Sequence, residues 1–216
     1  MTTAGPARTL GDKPLAAPSR LLLGAVLVLV LGLIELGTLE YTYERLGIGH
    51  RFFTGLLLAS LLGSVINVPV TAWPVSDGLG GAAKRQTIVA VNLGGAVIPA
   101  LLAGYLLFVH ALYLEGVVAV GVVAGLSHAL ARPVAGVGIA VPIFIPPVAA
   151  AATAMVLAPN AAPALAYAAG SLGTLIGADL ANLGRLRELR APLVSIGGAG
   201  TFDGIFLTGI LAVLLA

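Results

Sequence analysis

The chain has 216 residues, of which 59% are hydrophobic and 9% are charged, and its net charge is +2. Soluble domains carry about 25% charged residues, so this composition excludes an ordinary soluble enzyme and a disordered chain. The small, scattered net charge excludes a nucleic-acid-binding surface, and the absence of cysteine excludes disulfides and thiolate metal sites. We therefore expect an all-α, polytopic membrane protein with the lipid bilayer as its main partner.

Residues 1–19 lack hydrophobic periodicity and are predicted to form a disordered cytoplasmic tail, whereas residues 20–216 are predicted to form one transmembrane domain. A bilayer core about 30 Å thick requires about 20 apolar residues of helix. About seven segments meet this requirement, some of them narrowly. The predicted spans are Arg20–Gly37, Phe53–Trp73, Thr87–Val109, Glu115–Ala131, Gly138–Leu157, Ala164–Leu183 and Leu193–Ala216.

The basic residues of the loops predict how the chain crosses the membrane. Nine of them fall on the side of the N-terminus, and only Arg45 and Arg51 fall on the other side. Short cytoplasmic loops carry an excess of Lys and Arg. The N-terminus is therefore predicted to be cytoplasmic and the C-terminus external, in a multi-pass protein of the inner membrane.

Two stretches of the chain resemble each other. The second predicted span contains GSVINVPV from Gly63, and the sixth contains GTLIGADL from Gly173. Each leads into a basic loop and then into a span with Gly-Gly-Ala, beginning at Gly94 and at Gly197. The spacing suggests a parallel repeat of three helices, one linking helix and three helices. Chance similarity between apolar helices rich in Gly, Ala, Leu and Val is the alternative.

Two aspartates lie within the predicted spans, where an ionisable side chain is costly. Asp179 lies roughly 9 Å from the cytoplasmic end of its helix, and Asp203 lies roughly 15 Å deep in the next one. Neighbouring helices would bring the carboxylates to similar depth, where both cannot ionise together. Such a pair provides a general base and a general acid for peptide hydrolysis, or a proton or cation site in a transporter.

Glycines precede the second aspartate. We identify Gly197, Gly198 and Gly200 as candidates for a substrate- or ion-binding turn, because a glycine-rich helix unwinds more easily and lets another backbone approach closely. Unwinding would give a protease access to its substrate and would give a transporter backbone carbonyls for an ion. Close helix packing alone is the alternative explanation.

Further polar and helix-breaking residues lie in the predicted spans. Asn67 and Asn92 are candidates to coordinate a substrate or ion, although hydrogen bonds between helices would explain them equally well. Three prolines in the fifth span, Pro142, Pro146 and Pro147, must interrupt or bend its helix. We expect a broken helix that lines a cavity or flanks the aspartates.

The runs SLGTLIGADLANLG from Ser171 and SIGGAGTFDGIFLTG from Ser195 resemble an uncharacterised family of bacterial and archaeal membrane proteins, domain-of-unknown-function family 1614. The resemblance covers most of the chain after the tail and implies no established activity. It therefore adds a membrane setting but no site residues.

The aspartate pair also looks like that of the intramembrane aspartyl proteases of the presenilin and prepilin-peptidase kind. Those proteins have the aspartate directly after Gly-x-Gly, whereas here Thr201 and Phe202 separate Gly200 from Asp203. We expect aspartyl-protease-like hydrolysis of a membrane-embedded peptide. The first alternative is transport of a small solute coupled to a proton or cation by the same aspartates, and the second is a structural membrane protein. No metal, other cofactor or nucleic-acid partner is expected, and the oligomeric state is not predicted.

Overall fold

A computed structural model describes residues 25–29, 31–32, 37–75, 85–134, 138–186, 192–198 and 204–216. The predicted tail, residues 1–19, lies outside these ranges. The described chain is mostly helical and contains two small sheets. The helices are α1 (Thr38–Arg45), α2 (His50–Gly63), α3 (Ile98–Val109), α4 (Tyr113–Leu130), α5 (Ile145–Leu157), α6 (Ala162–Thr174), α7 (Leu183–Leu186) and α8 (Gly204–Leu215). The strands are β1 (Asn67–Val75), β2 (Arg85–Asn92), β3 (Arg132–Val134), β4 (Gly138–Ala140) and β5 (Leu193–Ile196).

Two helical stretches of the described chain are long and apolar enough to cross a membrane. One is α4, and the other is the continuous helical run Pro159–Arg185 that contains α6. They correspond to the fourth and sixth predicted spans. Shorter apolar helices cover Thr54–Gly63, Leu93–Val109, Ile145–Leu157 and Gly204–Leu215. Four other predicted spans are thus helical over only part of their length, and residues 25–29 and 31–32 are helical within the first.

Strands replace helix in parts of four predicted spans, and the prediction of helix there is wrong. β1 takes the end of the second span, β2 the start of the third, β4 the start of the fifth and β5 the start of the seventh. In β1, Pro69 and Pro74 remove backbone donors that a helix would need. In β2, buried Thr87 and Val89 alternate with the exposed side chains of Gln86 and Ile88, which is the period of a strand.

The three-stranded sheet has the order β1-β2-β5. β1 and β2 pair antiparallel, with Asn67 opposite Asn92. β2 and β5 pair parallel, with Val91 opposite Ile196. β5 is followed directly by Gly197, and only Leu93 separates β2 from Gly94, so the parallel pairing brings both glycine segments to the same end of the sheet.

The two copies of the expected repeat differ in secondary structure. Gly63–Val70 comprises the end of α2 and the start of β1, whereas the stretch from Gly173 comprises the end of α6 and a π-helical turn, Leu175–Asp179. Only the second parts of the copies are alike, since β2 and β5 are each followed by glycines and then by a helix. The similarity is therefore limited to a strand–glycine–helix unit.

Helix α6 lies at the centre of the molecule, where it contacts α3, α4, α5 and α8. Its buried positions are mostly alanine and glycine, which lets the helix axes approach closely. A Cβ atom on Gly173 would lie 2.6 Å from the Cβ of Val123, and one on Gly177 would overlap the carbonyl oxygen of Ala124. The contact between α4 and the C-terminal end of α6 therefore depends on glycine.

Candidate functional site

Asp179 is the last residue of the π-helical turn Leu175–Asp179, which we call the second π turn. One oxygen of its carboxylate, Oδ2, accepts a hydrogen bond of 2.7 Å from the backbone N–H of Gly197. Gly197 directly follows β5 and has φ +83°, a left-handed conformation that favours glycine. The turn after the sheet and the turn after α6 are therefore joined at the aspartate.

Another π-helical turn, Leu93–Val97, follows β2, and we call it the first π turn. It begins after Asn92, whose Oδ1 accepts a hydrogen bond of 2.7 Å from the N–H of Gly95. A Cβ atom on Gly95 would overlap the carbonyl oxygen of Gly197. The backbone of Gly197 thus contacts the first π turn through its carbonyl and Asp179 through its N–H. π-Helical turns within helices are rare and are frequent at functional sites.

The asparagines at the end of the sheet form a hydrogen-bond cluster in which Asn92 is buried and Asn67 is half-buried. The Nδ2 of Asn92 donates to the carbonyl of Ser64 at 2.7 Å and to Oδ1 of Asn67 at 3.1 Å. The hydroxyl of Ser195 donates to the same oxygen of Asn67. Asn92 uses its amide fully in these contacts, so this cluster stabilises the junction of β1, β2, β5 and the first π turn.

A cavity of about 210 Å³ lies beside Asp179. Its wall includes Pro142, which precedes α5, and Pro146, which lies in the first turn of α5. Gly204 and Thr208 of α8 also line it. The helix of the fifth predicted span begins only at Ile145. Pro142 and Pro146 lie beside a cavity as expected, but the expected broken helix is a strand, β4, and a turn followed by a helix.

Thr174 brings a second polar group to the wall of this cavity. It is the last residue of α6 and only 6% exposed, and its Oγ1 has no hydrogen-bond partner among the described residues. Buried hydroxyls are nearly always paired. Two residues with polar side chains, Asp179 and Thr174, therefore line the same cavity, and the Thr174 hydroxyl itself is buried.

The structure brings four of the candidate residues to the same end of the sheet. Asp179 and Gly197 are hydrogen-bonded to each other, and Asn67 and Asn92 are hydrogen-bonded in the adjoining cluster. Gly198 follows directly and also has a positive φ, of 90°. The other two candidates, Asp203 and Gly200, lie outside the described residues.

Several residues of this region were not identified from the sequence. Ser195 lies two residues before the candidate Gly197, and Thr174 lies five residues before Asp179. Hydroxyl side chains in apolar helices ordinarily bond to the carbonyl of the preceding turn, so neither Thr174 nor Thr208 has a distinctive sequence signal. Their position on the cavity wall depends on the packing of α6 against α8.

The molecule also has a larger groove of about 700 Å³ between the loop at Gly47–Gly49, α2 and α3. Apolar side chains and glycines form its walls, apart from Tyr105. None of the candidate residues that the structure describes lies in it. The described lining of the groove contains no carboxylate, whereas that of the smaller cavity includes Asp179, so chemistry favours the smaller one.

Comparison with known proteins gives a family but no described relative. No curated protein and no solved structure matches the chain. The model of the family described as "Protein of unknown function (DUF1614)" matches residues 61–215, which include every strand of the main sheet, both π turns and all the lining residues of the Asp179 cavity. The chain therefore belongs to the DUF1614 family.

Proposed function

We propose that the chain is a multi-pass membrane protein whose Asp179 cavity binds a proton or a small monovalent cation during transport. The observation that carries the proposal is that Asp179 and Thr174 line one cavity, and that the buried Thr174 hydroxyl has no hydrogen-bond partner among the described residues. Carboxylate and hydroxyl oxygens suit hard cations. A carboxylate within a membrane domain is also the usual carrier of a proton.

The outer surface of the helices supports the membrane setting. Val117 on α4 is 72% exposed and Val156 on α5 is 80% exposed, and many other large apolar side chains of the described residues are exposed as well. Soluble monomers rarely expose contiguous apolar patches beyond a few hundred Å². The basic residues support a cytoplasmic N-terminus and an external C-terminus in the inner membrane, because Arg85, Arg132 and Arg185 all fall on the cytoplasmic side of the predicted topology.

The size of the cavity favours an ion over a peptide. Pockets for drug-sized ligands measure about 300–1,000 Å³, and 210 Å³ is below that range. A partly hydrated cation or a few water molecules fit, since each water occupies about 30 Å³ in the liquid. An extended peptide would require the segment around Pro142 to move away.

Ion flux into liposomes tests the proposal. The purified protein is reconstituted in phosphatidylethanolamine and phosphatidylglycerol with a dye sensitive to pH, Na⁺ or K⁺ inside, and the matching gradient of H⁺, Na⁺ or K⁺ is applied. We expect flux in at least one gradient at a rate at least tenfold above protein-free liposomes. Asp179→Asn should reduce it to the protein-free rate, because the amide oxygen still accepts from Gly197 but carries no charge.

Glu115→Gln is the matched control, since Glu115 is a half-buried carboxylate in the first turn of α4 and does not line the cavity. Its flux should equal that of the wild type. Equal flux from wild-type and Asp179→Asn protein, or protein-free rates from the wild type under every gradient, would overturn the proposal.

Aspartyl-protease-like hydrolysis of a membrane-embedded peptide is the second candidate. The observation that favours it is that Gly204, the residue after Asp203 in the sequence, lines the same cavity as Asp179. Hydrolysis would use one aspartate as the base that activates water and the other as the acid that protonates the leaving amine. Mass spectrometry of co-reconstituted single-span peptides tests it, and cleavage should disappear in both Asp179→Asn and Asp203→Asn. Flux that requires Asp179 but not Asp203, without cleavage, would exclude this candidate.

A further inference from the structure

We propose that Asn182 is a positioning residue that maintains the second π turn and thereby directs the Asp179 carboxylate to the cavity. This inference rests on the function proposed above for Asp179. It concerns a residue that does not touch the cavity. Asn182 acts through the backbone of the turn that precedes the aspartate.

The contacts of Asn182 lie on the two residues before Asp179. Its Nδ2 donates to the carbonyl of Gly177 at 2.8 Å and to the carbonyl of Ala178 at 3.0 Å. In a π turn the hydrogen bonds run from residue i+5 to residue i, so the turn contains one residue more than an α-helical turn. The carbonyls of a π turn therefore do not accept the hydrogen bonds that they would accept in an α-helix. Here the Asn182 side chain donates to two consecutive carbonyls of the turn.

The extra residue decides where Asp179 points. An α-helix advances by about 100° per residue, at 3.6 residues a turn. Conversion of the π turn to an α-helical turn would shift the residues that follow by one position and rotate Asp179 by about that angle. Its 2.7 Å hydrogen bond with Gly197 and its place on the cavity wall both require the π form.

The burial of Asn182 supports a positional role. The residue is 1% exposed, and its Oδ1 has no hydrogen-bond partner among the described residues. A buried polar atom without a partner is costly, and leucine, which has nearly the same shape, would avoid that cost. The asparagine is thus better explained by its two donated bonds than by packing.

The opposite side of the turn is supported by α4. Gly177 packs so closely on Ala124 that a Cβ atom would overlap the Ala124 carbonyl. The turn is therefore positioned from outside by helix contact and from within by the Asn182 amide. Removal of the amide would leave the outer contact in place, so the variant should fold with the turn altered.

Carbodiimide labelling of Asp179 provides a test that does not depend on flux. We expect Asn182→Leu to lower the labelling rate, measured by peptide mass spectrometry, at least fivefold below that of the wild type. In liposomes that conduct ions, the proton or cation concentration for half-maximal flux should also shift at least threefold. A purely structural defect would reduce the maximal flux by reducing the amount of folded protein and would leave this midpoint unchanged.

Ser127→Ala is the control, because Ser127 is fully buried and its hydroxyl has no hydrogen-bond partner among the described residues. Its labelling and midpoint should equal those of the wild type. Asn182→Asp, which keeps the side-chain shape but offers at most one donor, replaces Asn182→Leu if that variant does not fold, and the same changes are expected. Wild-type labelling in either folded variant would overturn the inference. If the labelling rate falls in the Asn182 variants as expected but the wild type shows no ion flux, the proposed function alone would be overturned.

Discussion

The backbone N–H of Gly197 donates a hydrogen bond of 2.7 Å to the Oδ2 of Asp179. This single bond connects the end of the sheet to the end of the central helical run. The carboxylate is therefore oriented by a main-chain donor that no side-chain substitution removes directly. It also follows that changes in the backbone at Gly197 should alter both stability and function.

Gly197→Ala tests this dependence. Alanine at φ +83° is strained by about 1–3 kcal/mol, and its Cβ would lie 2.5 Å from the Cβ of Ala96. We expect the free energy of unfolding to fall by about 3 kcal/mol when strain and overpacking are combined. Denaturant titration in detergent measures the loss, and liposome flux should fall with it.

Gly184→Ala is the matched control, because Gly184 is exposed and a Cβ atom there meets nothing within 4 Å. Its unfolding free energy should change by less than about 0.5 kcal/mol, as for other surface substitutions. An equal effect of the two substitutions would contradict the close contact at Gly197.

Gly177→Ala tests the packing of the second π turn on α4. The added Cβ would lie 2.8 Å from the Cα of Ala124 and would overlap its carbonyl oxygen. Backbone atoms cannot move aside as a flexible side chain can, so we expect a loss of about 3 kcal/mol. Thermal unfolding, monitored by circular dichroism, measures this loss.

Gly125→Ala, at an exposed and open position of α4, is the control and should be neutral or stabilising by up to about 1 kcal/mol. Equal melting temperatures for the two variants would exclude the contact.

Asn92→Ala tests the hydrogen-bond cluster at the end of the sheet. The substitution removes the bonds to Ser64, Asn67 and Gly95. Each such bond contributes about 0.5–1.5 kcal/mol, and the buried partners lose their contacts, so we expect a loss of about 3 kcal/mol in denaturant titration. Asn160→Ala, at an exposed position, should change the unfolding free energy by less than about 0.5 kcal/mol. A neutral Asn92→Ala would show that water replaces the cluster at no cost.

The sequence predicts the two long helices because each is an uninterrupted apolar run of sufficient length. It fails at β1, β2, β4 and β5, where a window of about 20 residues averages a short strand with the apolar helix beside it. The prolines at positions 69 and 74 and the alternation in β2 contain the missing signal. Overall hydropathy over such a window outweighs these local signals.

The candidate residues come together although the secondary structure around them was predicted wrongly. Asn67, Asn92 and Gly197 are polar or small residues at points where strand changes to helix or turn, and such points require hydrogen bonds and close backbone contact. Their pairing depends on the parallel alignment of β2 and β5, which are distant in sequence. No local pattern encodes that alignment, so the contact between Gly95 and Gly197 could not be predicted.

Thr174→Val separates a role in ion binding from a role in folding. Valine has nearly the same shape, and the Thr174 hydroxyl has no hydrogen-bond partner among the described residues. The unfolding free energy should therefore stay the same or rise by up to about 1 kcal/mol, since no bond is lost and a buried polar atom is removed. Ion binding at Asp179 should weaken, with at least a threefold increase in the ion concentration for half-maximal flux.

Thr153→Val is the control. It loses a 2.7 Å hydrogen bond to the carbonyl of Ala149 within α5, and Thr153 does not line the cavity, so this concentration should stay unchanged. A Thr174→Val protein with the wild-type midpoint would remove this hydroxyl from the proposed site and leave Asp179 as its remaining described carboxylate.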